Sequence, residues 1–297
     1  MNPYRNHDFT LRQIQYAVAV AELATFGAAA KAAGVSQPSL SAQVAKLEDV
    51  LGQVLFERSV RGVDLTDAGE RLLPKLRAAL AAAQDVADLA TSMQDPLAIP
   101  LRVGVIPTIA PYLLPSIVER LDGQEMPAVH WLELQTASCE QLLLAGDLDA
   151  ALIAETPGPE GLAGIEVGWE PFLVVVPEGH PLQGPVDEAS LGAEALMLLD
   201  EGHCLRDHTL RQCALPEGRR SAYRATSLAT LVQMVGAGLG ISVLPASAVP
   251  VETARARVRT LPFQSGRVGR SLVVAHRRGE PRSAFVHQLA TAVSAAL

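Results

Sequence analysis

From Thr10 the apolar positions Ile14, Ala17, Val18 and Ala21 recur at helical spacing, and Gln13 stands where it can answer a Thr10 cap, so a helix is predicted from Leu11 to about Leu23. Thr25 opens a shorter helix, Phe26 to Ala33, which Gly34 stops. Ser36 caps a third, with Pro38 in the first turn, where a missing N–H costs nothing. That helix carries Leu40, Val44 and Leu47 on one face, reaches about Leu51 and ends at Gly52. Two helices joined by a short glycine-containing turn, the second polar on its outer face, form the helix-turn-helix pattern. Val54, Leu55 and Phe56, then Arg58, Arg61 and Gly62, then Val63 and Leu65, predict a small β ribbon with arginines at its tip, a wing.

Thr66 caps a long helix running to about Met93, with Pro74 in its second turn, where a bend is expected. Leu73, Leu76, Leu80, Ala83, Ala87 and Ala90 alternate spacings of three and four, a heptad seam suited to pairing with a second copy, the alternative being packing on its own domain. Asp95 to Pro100 reads as a hinge, beyond which the period changes. Strands are predicted at Leu101–Val105, Val129–Leu134, Ala150–Ala154, Phe172–Val176, Leu196–Leu199, Ile241–Leu244 and Ser271–Ala275. Helices are predicted at Tyr112–Leu121, Cys139–Ala145, Ser227–Ala237 and Ser283–Leu297, giving an alternating α/β region.

The 297 residues suffice for two or three domains, and 49% hydrophobic with 19% charged residues is a globular composition. A net charge of −8 excludes a basic body that binds nucleic acid indiscriminately. Residues 1–62 nevertheless hold six basic against five acidic side chains, so they are near neutral within an acidic chain. Neither a signal peptide nor a membrane-spanning apolar run is visible, which makes a cytoplasmic location the expectation. Three cysteines do not make a disulfide scaffold, and in a reducing compartment any disulfide is a candidate switch. No Walker loop, dinucleotide fingerprint, HExxH, CxxC or serine nucleophile elbow is present, and no cofactor is called for.

Two segments carry chemistry. On the Ser36–Leu51 helix, Gln37, Pro38, Ser39, Ser41, Gln43 and Lys46 form a polar face fit to meet base edges and phosphates in a major groove, with Arg58 and Arg61 fit for phosphates or the minor groove. A protein-binding surface is the other reading of that face. In Leu199-Asp200-Glu201-Gly202-His203-Cys204-Leu205-Arg206-Asp207-His208, Cys204 follows a glycine turn near the start of a helix, where backbone N–H groups, His203 and Arg206 favour a thiolate and Asp207 opposes it. Cys213 lies nine residues on. If the intervening chain is helical, the two Cα atoms are about 13–14 Å apart, whereas a disulfide needs about 7 Å or less. Bonding the pair would therefore open the helix, which is how a switch works. Two ordinary buried cysteines remain an equal alternative at this point; metal binding by Cys204, His203, His208 and Cys213 matches no common ligand spacing.

The stretch LRQIQYAVAVAELATFGAAAKAAGVSQPSLSAQVAKLEDVLGQVLFERSVRGVDLTDAG resembles the winged helix-turn-helix of the LysR-type bacterial transcription regulators, its SQPSLSAQVAKLEDVLGQVLFER core most specifically. The resemblance extends over essentially the whole chain. It implies a multidomain α/β protein: a winged helix-turn-helix over residues 1–65, a linker and dimerisation helix over 66–94, and over 95–297 a two-lobed regulatory domain like periplasmic binding proteins. Lobe I would take 101–171 and 267–297, lobe II 172–266. It also implies a homodimer and homotetramer on double-stranded promoter DNA, acting on RNA polymerase.

GVIPTIAPYLLP with EGHCLRDH…C is similar to the peroxide-sensing OxyR branch of that family. That likeness implies that Cys204 is the peroxidatic sensor and Cys213 the resolving thiol of a redox-active disulfide. Thr108 and Thr136 would hold hydrogen peroxide, His203 and Asp207 would flank the pocket, and Arg270 would be the basic group near the thiol. A cellular thiol reductant would reset it, and the protein would be an oxidative-stress activator and no enzyme. Two departures stand out: His208 sits where that motif more often carries glutamine, and Gly27, Ala28 and Ala29 replace bulkier or basic residues. Cys139 reads as a core residue. The rival readings are a LysR-type regulator answering an organic anion in the inter-lobe cleft, a solute-binding module with a degenerate DNA-binding domain, and a thiol peroxidase using Cys204.

Overall fold

The structure, a computed structural model, describes residues 8–59, 62–193, 195–212 and 220–297. The chain divides into two compact units, one through Asp95, counting also Leu144–Asp147, and one comprising the remainder from Pro96 on.

The first unit holds α1 (Leu11–Leu23), α2 (Phe26–Ala32), α3 (Gln37–Leu51), β1 (Phe56–Ser59), β2 (Gly62–Leu65) and α4 (Asp67–Ser92). Its caps are those read from the sequence. Thr10 and Gln13 form the reciprocal box on α1, and Thr25, Ser36 and Thr66 accept from the N3 amides of α2, α3 and α4. Ile14, Ala17, Leu47, Leu55, Leu73 and Leu76 make one core cluster. The wing is an antiparallel pair in the register Phe56↔Leu65 to Ser59↔Gly62. Glu48, unremarked in the sequence, sets its start: Oε1 accepts from the Leu55 and Phe56 amides at 2.7 and 3.3 Å. Gly69 must lack a side chain, since a Cβ there would lie 2.2 Å from the Leu55 carbonyl oxygen.

Pro74 lies within a continuous α4 of 26 residues, about 39 Å long. The expected seam is not one face throughout. Leu73 and Leu76 are buried in the unit's own core with Leu80 packed against it, so the first third is internal. Farther along, Ala87 and Ala90 are exposed, and the large exposed apolar side chains beside them are Val86, Leu89 and Met93, again spaced by three and four.

The second unit contains β3 (Leu101–Val105), α5 (Ala110–Leu121), β4 (Val129–Glu133), α6 (Thr136–Ala145), β5 (Ala150–Ile153), β6 (Leu162–Pro177), β7 (Leu196–Leu199), α7 (Cys204–Gln212), β8 (Arg220–Ala225), α8 (Leu228–Gly236), β9 (Ser242–Pro245), α9 (Val249–Glu252), β10 (Val258–Pro262), β11 (Gly269–Arg277) and α10 (Ser283–Ala296). Among the described residues a seven-stranded sheet runs β10-β6-β11-β5-β3-β4, with β9 also on β6. β7 and β8 form a parallel pair.

The main departure from the sequence pattern is β6. A strand was expected from Phe172, but it begins at Leu162, because Gly164, Gly168 and Pro171 read as breakers while serving close strand packing. A Cβ on Gly164 would lie 2.6 Å from Val273 Cγ1. β6 changes partners along its length: Leu162–Pro171 pair with β11, and Phe172–Pro177 pair with β9 and β10. α6 likewise starts at Thr136, three residues before the expected Cys139.

Candidate functional site

Strand β7 delivers the chain into the turn Asp200–His203, and α7 begins on Cys204 itself. Gly202 adopts φ 92°, a left-handed conformation that favours glycine, and lies against the side-chain amide of Gln135 just before α6. Cys204 consequently faces residues of two other loops. Ile106, Pro107 and Thr108 follow β3, and Gln135 and Thr136 open α6; together with Gly202, His203 and Cys204 they leave no water-sized space among them.

Arg270 anchors the cluster from beneath at 1% exposure. It lies directly across the β11–β6 register from Glu170, and its Nε donates to Glu170 Oε2 at 2.8 Å. Nη1 donates to Thr108 Oγ1 at 2.7 Å and Nη2 to the Thr108 carbonyl at 2.8 Å. Glu170 Oε1 is in turn held by the Ser247 amide. Because Thr108 Oγ1 accepts from Arg270, its own proton is directed elsewhere. Thr136 Oγ1 is buried with no partner of full hydrogen-bond geometry, and the group it faces is the Cys204 thiol.

Cys204 is 7% exposed, and burial pushes its thiol above the ordinary cysteine range. Arg270, the Thr136 hydroxyl and the Leu205 amide pull it down, while Glu155 pushes it up. Burial is the largest of these influences and outweighs the lowering effect of Arg270, so the thiol as packed here stands above its ordinary range. His203 is half-buried, and burial lowers its imidazole against a weaker raising influence from Asp200, so it is neutral at neutral pH.

Other sequence-selected residues lie differently. Asp207 is exposed on α7 and is not among the residues that line the cluster. Cys213 lies outside the described residues. His208 is buried, its ring 6.3 Å from that of Phe172, its Nδ1 unpartnered and its Nε2 3.8 Å from Glu155 Oε2, while Arg211 Nη2 reaches the same oxygen at 3.4 Å. Burial lowers His208, with Glu155 opposing. Cys139 is fully buried, its thiol pushed up to about 12 by burial first and Glu140 second. Sequence reasoning missed Glu170, Gln135 and Phe172, whose placement depends on strand register. Among the described residues no group of three His, Cys, Asp or Glu is arranged to hold a metal ion.

In the first unit, Gln37, Pro38, Ser39, Ser41 and Lys46 stand exposed on α3. Gln43 is half-buried, and its Oε1 accepts from Gln13 Nε2 at 3.1 Å, which joins α3 to the α1 capping box and leaves the Gln43 NH2 to donate. Arg58 lies in β1 with its side chain outside the description, and Arg61 is outside the described residues.

Residues 11–70 match the family described as bacterial regulatory helix-turn-helix protein, lysR family, and residues 94–297 the LysR substrate binding domain. A probable hydrogen peroxide-inducible genes activator of Mycobacterium avium is 40% identical over 296 residues, covering 97% of this chain and 94% of the relative. The DNA-binding transcriptional dual regulator OxyR of Escherichia coli K12 is 38% identical, covering 96% and 95%. Among solved structures, a full-length OxyR variant of Pseudomonas aeruginosa aligns with a TM-score of 0.75 at 36% identity over 97% of this chain and 95% of that one. A hydrogen-peroxide-bound mutant OxyR of Corynebacterium glutamicum aligns at 0.65 and 37%, over 97% and 92%. By sequence in both units and by fold along nearly its whole length, the chain belongs to the LysR family of regulatory helix-turn-helix proteins, within its OxyR branch.

Proposed function

We propose that this protein is a transcription regulator that senses hydrogen peroxide by oxidation of Cys204 and formation of a disulfide with Cys213. The observation that carries the reading is the closed cluster in which the Cys204 thiol meets the unpartnered Thr136 hydroxyl, beside a Thr108 hydroxyl already oriented by Arg270. Such an arrangement suits a molecule with two adjacent oxygens, each of which both donates and accepts.

Peroxide takes its place by displacing the tight packing around Gly202 and His203. Thr136 and Thr108 orient it, and neutral His203 accepts the thiol proton as sulfur attacks the nearer oxygen. The S–O bond forms, the O–O bond breaks, and the leaving hydroxide takes up the proton to depart as water. The sulfenic acid then condenses with the Cys213 thiol, releasing a second water. A thiolate forms only transiently, stabilised by Arg270, so the resting protein stays unreactive toward weaker oxidants.

The disulfide is incompatible with α7 over Cys204–Gln212: the Cα atoms of those two residues are about 12 Å apart along the axis, and one residue adds at most about 3.8 Å, so the residue bonded to Gln212 cannot come within the roughly 7 Å that a disulfide needs. The refolding is the signal. It alters how the protein holds double-stranded promoter DNA through α3 and the wing, with Gln37, Pro38, Ser39, Ser41, Gln43, Lys46, Arg58 and Arg61 as contacts, and how it meets RNA polymerase. The exposed Val86, Leu89 and Met93 of α4 pair with a second copy, and dimers join as tetramers. A cellular thiol reductant resets the switch, the location is cytoplasmic, and no substrate is turned over. Among the described residues no helix is long and apolar enough to cross a membrane. Cys204→Ser tests the reading: the DNA response to peroxide is lost, whereas a regulator answering an organic anion would keep a metabolite response.

A further inference from the structure

Gln212, the last described residue of α7, uses both ends of its side-chain amide on one backbone unit of β11. Its Nε2 donates to the Gly269 carbonyl at 2.7 Å, and the Gly269 amide donates to its Oε1 at 2.9 Å. Gly269 is opposite Pro171 in the β6 register, while the neighbouring ladder bond joins Phe172 N to Val268 O, so the polar groups of Gly269 face away from β6. On that side β5 pairs with β11 only over Val273–Ala275. Gln212 therefore completes the edge of β11 in place of a strand. The position admits only glycine, since a Cβ there would lie 2.4 Å from the Glu170 carbonyl oxygen and 2.7 Å from the Trp169 ring.

The location matters because Gln212 is adjacent in sequence to Cys213 and Gly269 to Arg270. The bidentate clasp ties the end of the redox helix to the strand that positions the sensor thiol. His208 and Arg211 also tie α7 to Glu155, but through longer and partly exposed contacts of small worth.

We infer that Gln212 is a positioning residue that latches the Gln212 end of α7 and thereby sets the rate at which oxidised Cys204 is resolved by Cys213. This rests on the peroxide-sensing reading above. The latch acts on the second step alone: Cys204–SOH and Cys213–SH become the disulfide and water, and both clasp bonds must open before the thiol can approach. The oxidation of Cys204 by peroxide takes place at the other end of α7 and does not require the clasp to open.

The test mixes full-length wild type, Gln212→Ala and Gln212→Glu with hydrogen peroxide in stopped flow. Sulfenic acid is trapped with a 1,3-dione, and the disulfide is followed by mass spectrometry. Losing two neutral hydrogen bonds should speed disulfide formation in Gln212→Ala roughly ten-fold, with the oxidation rate of Cys204 unchanged. Gln212→Glu keeps the acceptor for the Gly269 amide and should fall between. The disulfide potential should drop by about 30 mV, the two-electron equivalent of that factor. An unchanged resolving rate overturns the latch, as does a parallel change in the oxidation rate, which would mean that α7 has loosened as a whole. A wild type that stops at sulfenic acid overturns the latch while leaving Cys204 a sensor; a wild-type Cys204 that peroxide does not oxidise overturns both.

Discussion

Thr136→Val separates reactivity from stability. The hydroxyl is buried, lacks a partner of full geometry and faces the Cys204 sulfur. Leaving a neutral hydroxyl unsatisfied costs about 1–3 kcal/mol, so replacing it with a methyl of similar size should leave folding unchanged or raise stability by up to ~1 kcal/mol. Reactivity should move the other way. A hydrogen bond to a charged acceptor is worth about 1.5–3 kcal/mol, and the acceptor becomes charged only as the thiolate forms. At about 1.4 kcal/mol per factor of ten, peroxide oxidation of Cys204 should slow roughly ten- to hundred-fold. The assay is the second-order loss of the Cys204 thiol, read by quenched alkylation and mass spectrometry, beside urea unfolding of the same reduced samples. An oxidation rate within two-fold of wild type, or a stability loss above ~1 kcal/mol, would refute the assignment of Thr136 to the reacting thiolate.

Burial lowers the His208 imidazole below its ordinary value. The unfolded chain then binds a proton first, so stability should fall as the pH drops below about 6.5 and continue to fall to the lower folded value. His208→Gln should flatten that acid limb in thermal scans. Cys139, raised to about 12 by burial and Glu140, should resist alkylation at pH 7.5 in native protein and react within minutes in denaturant. Glu48→Ala removes the acceptor for two wing amides and should destabilise the first unit by ~2 kcal/mol in chemical unfolding.

Much of this architecture was legible because it is local. The caps at Thr10, Thr25, Ser36 and Thr66 need only a hydroxyl and the next three residues, and the glycine turn before Cys204 announces the start of α7. The long β6 was not legible, since its glycines look like breakers until Val273 is seen packing against Gly164. Glu170 stayed hidden because only the β6–β11 register sets it opposite Arg270, a hundred residues away. The thiol is held up by burial, which the sequence does not print, and the lowering influence of Arg270 does not outweigh it. The exposure of Asp207 on α7, three residues past Cys204, depends on what packs against that helix and could not be read from the motif. The tie from Gln13 to the Gln43 carbonyl joins two helices and is not legible in either one alone.

The central claim is a peroxide-driven disulfide between Cys204 and Cys213 that changes DNA binding. Its most direct test is thiol mass spectrometry on the intact protein before and after brief low-micromolar peroxide, with promoter-DNA footprints on the same samples. Wild type should lose two protons mapping to a Cys204–Cys213 disulfide, with an altered footprint, and Cys204→Ser should show neither. Absence of selective oxidation at Cys204, or an unchanged footprint once the disulfide has formed, would contradict the account.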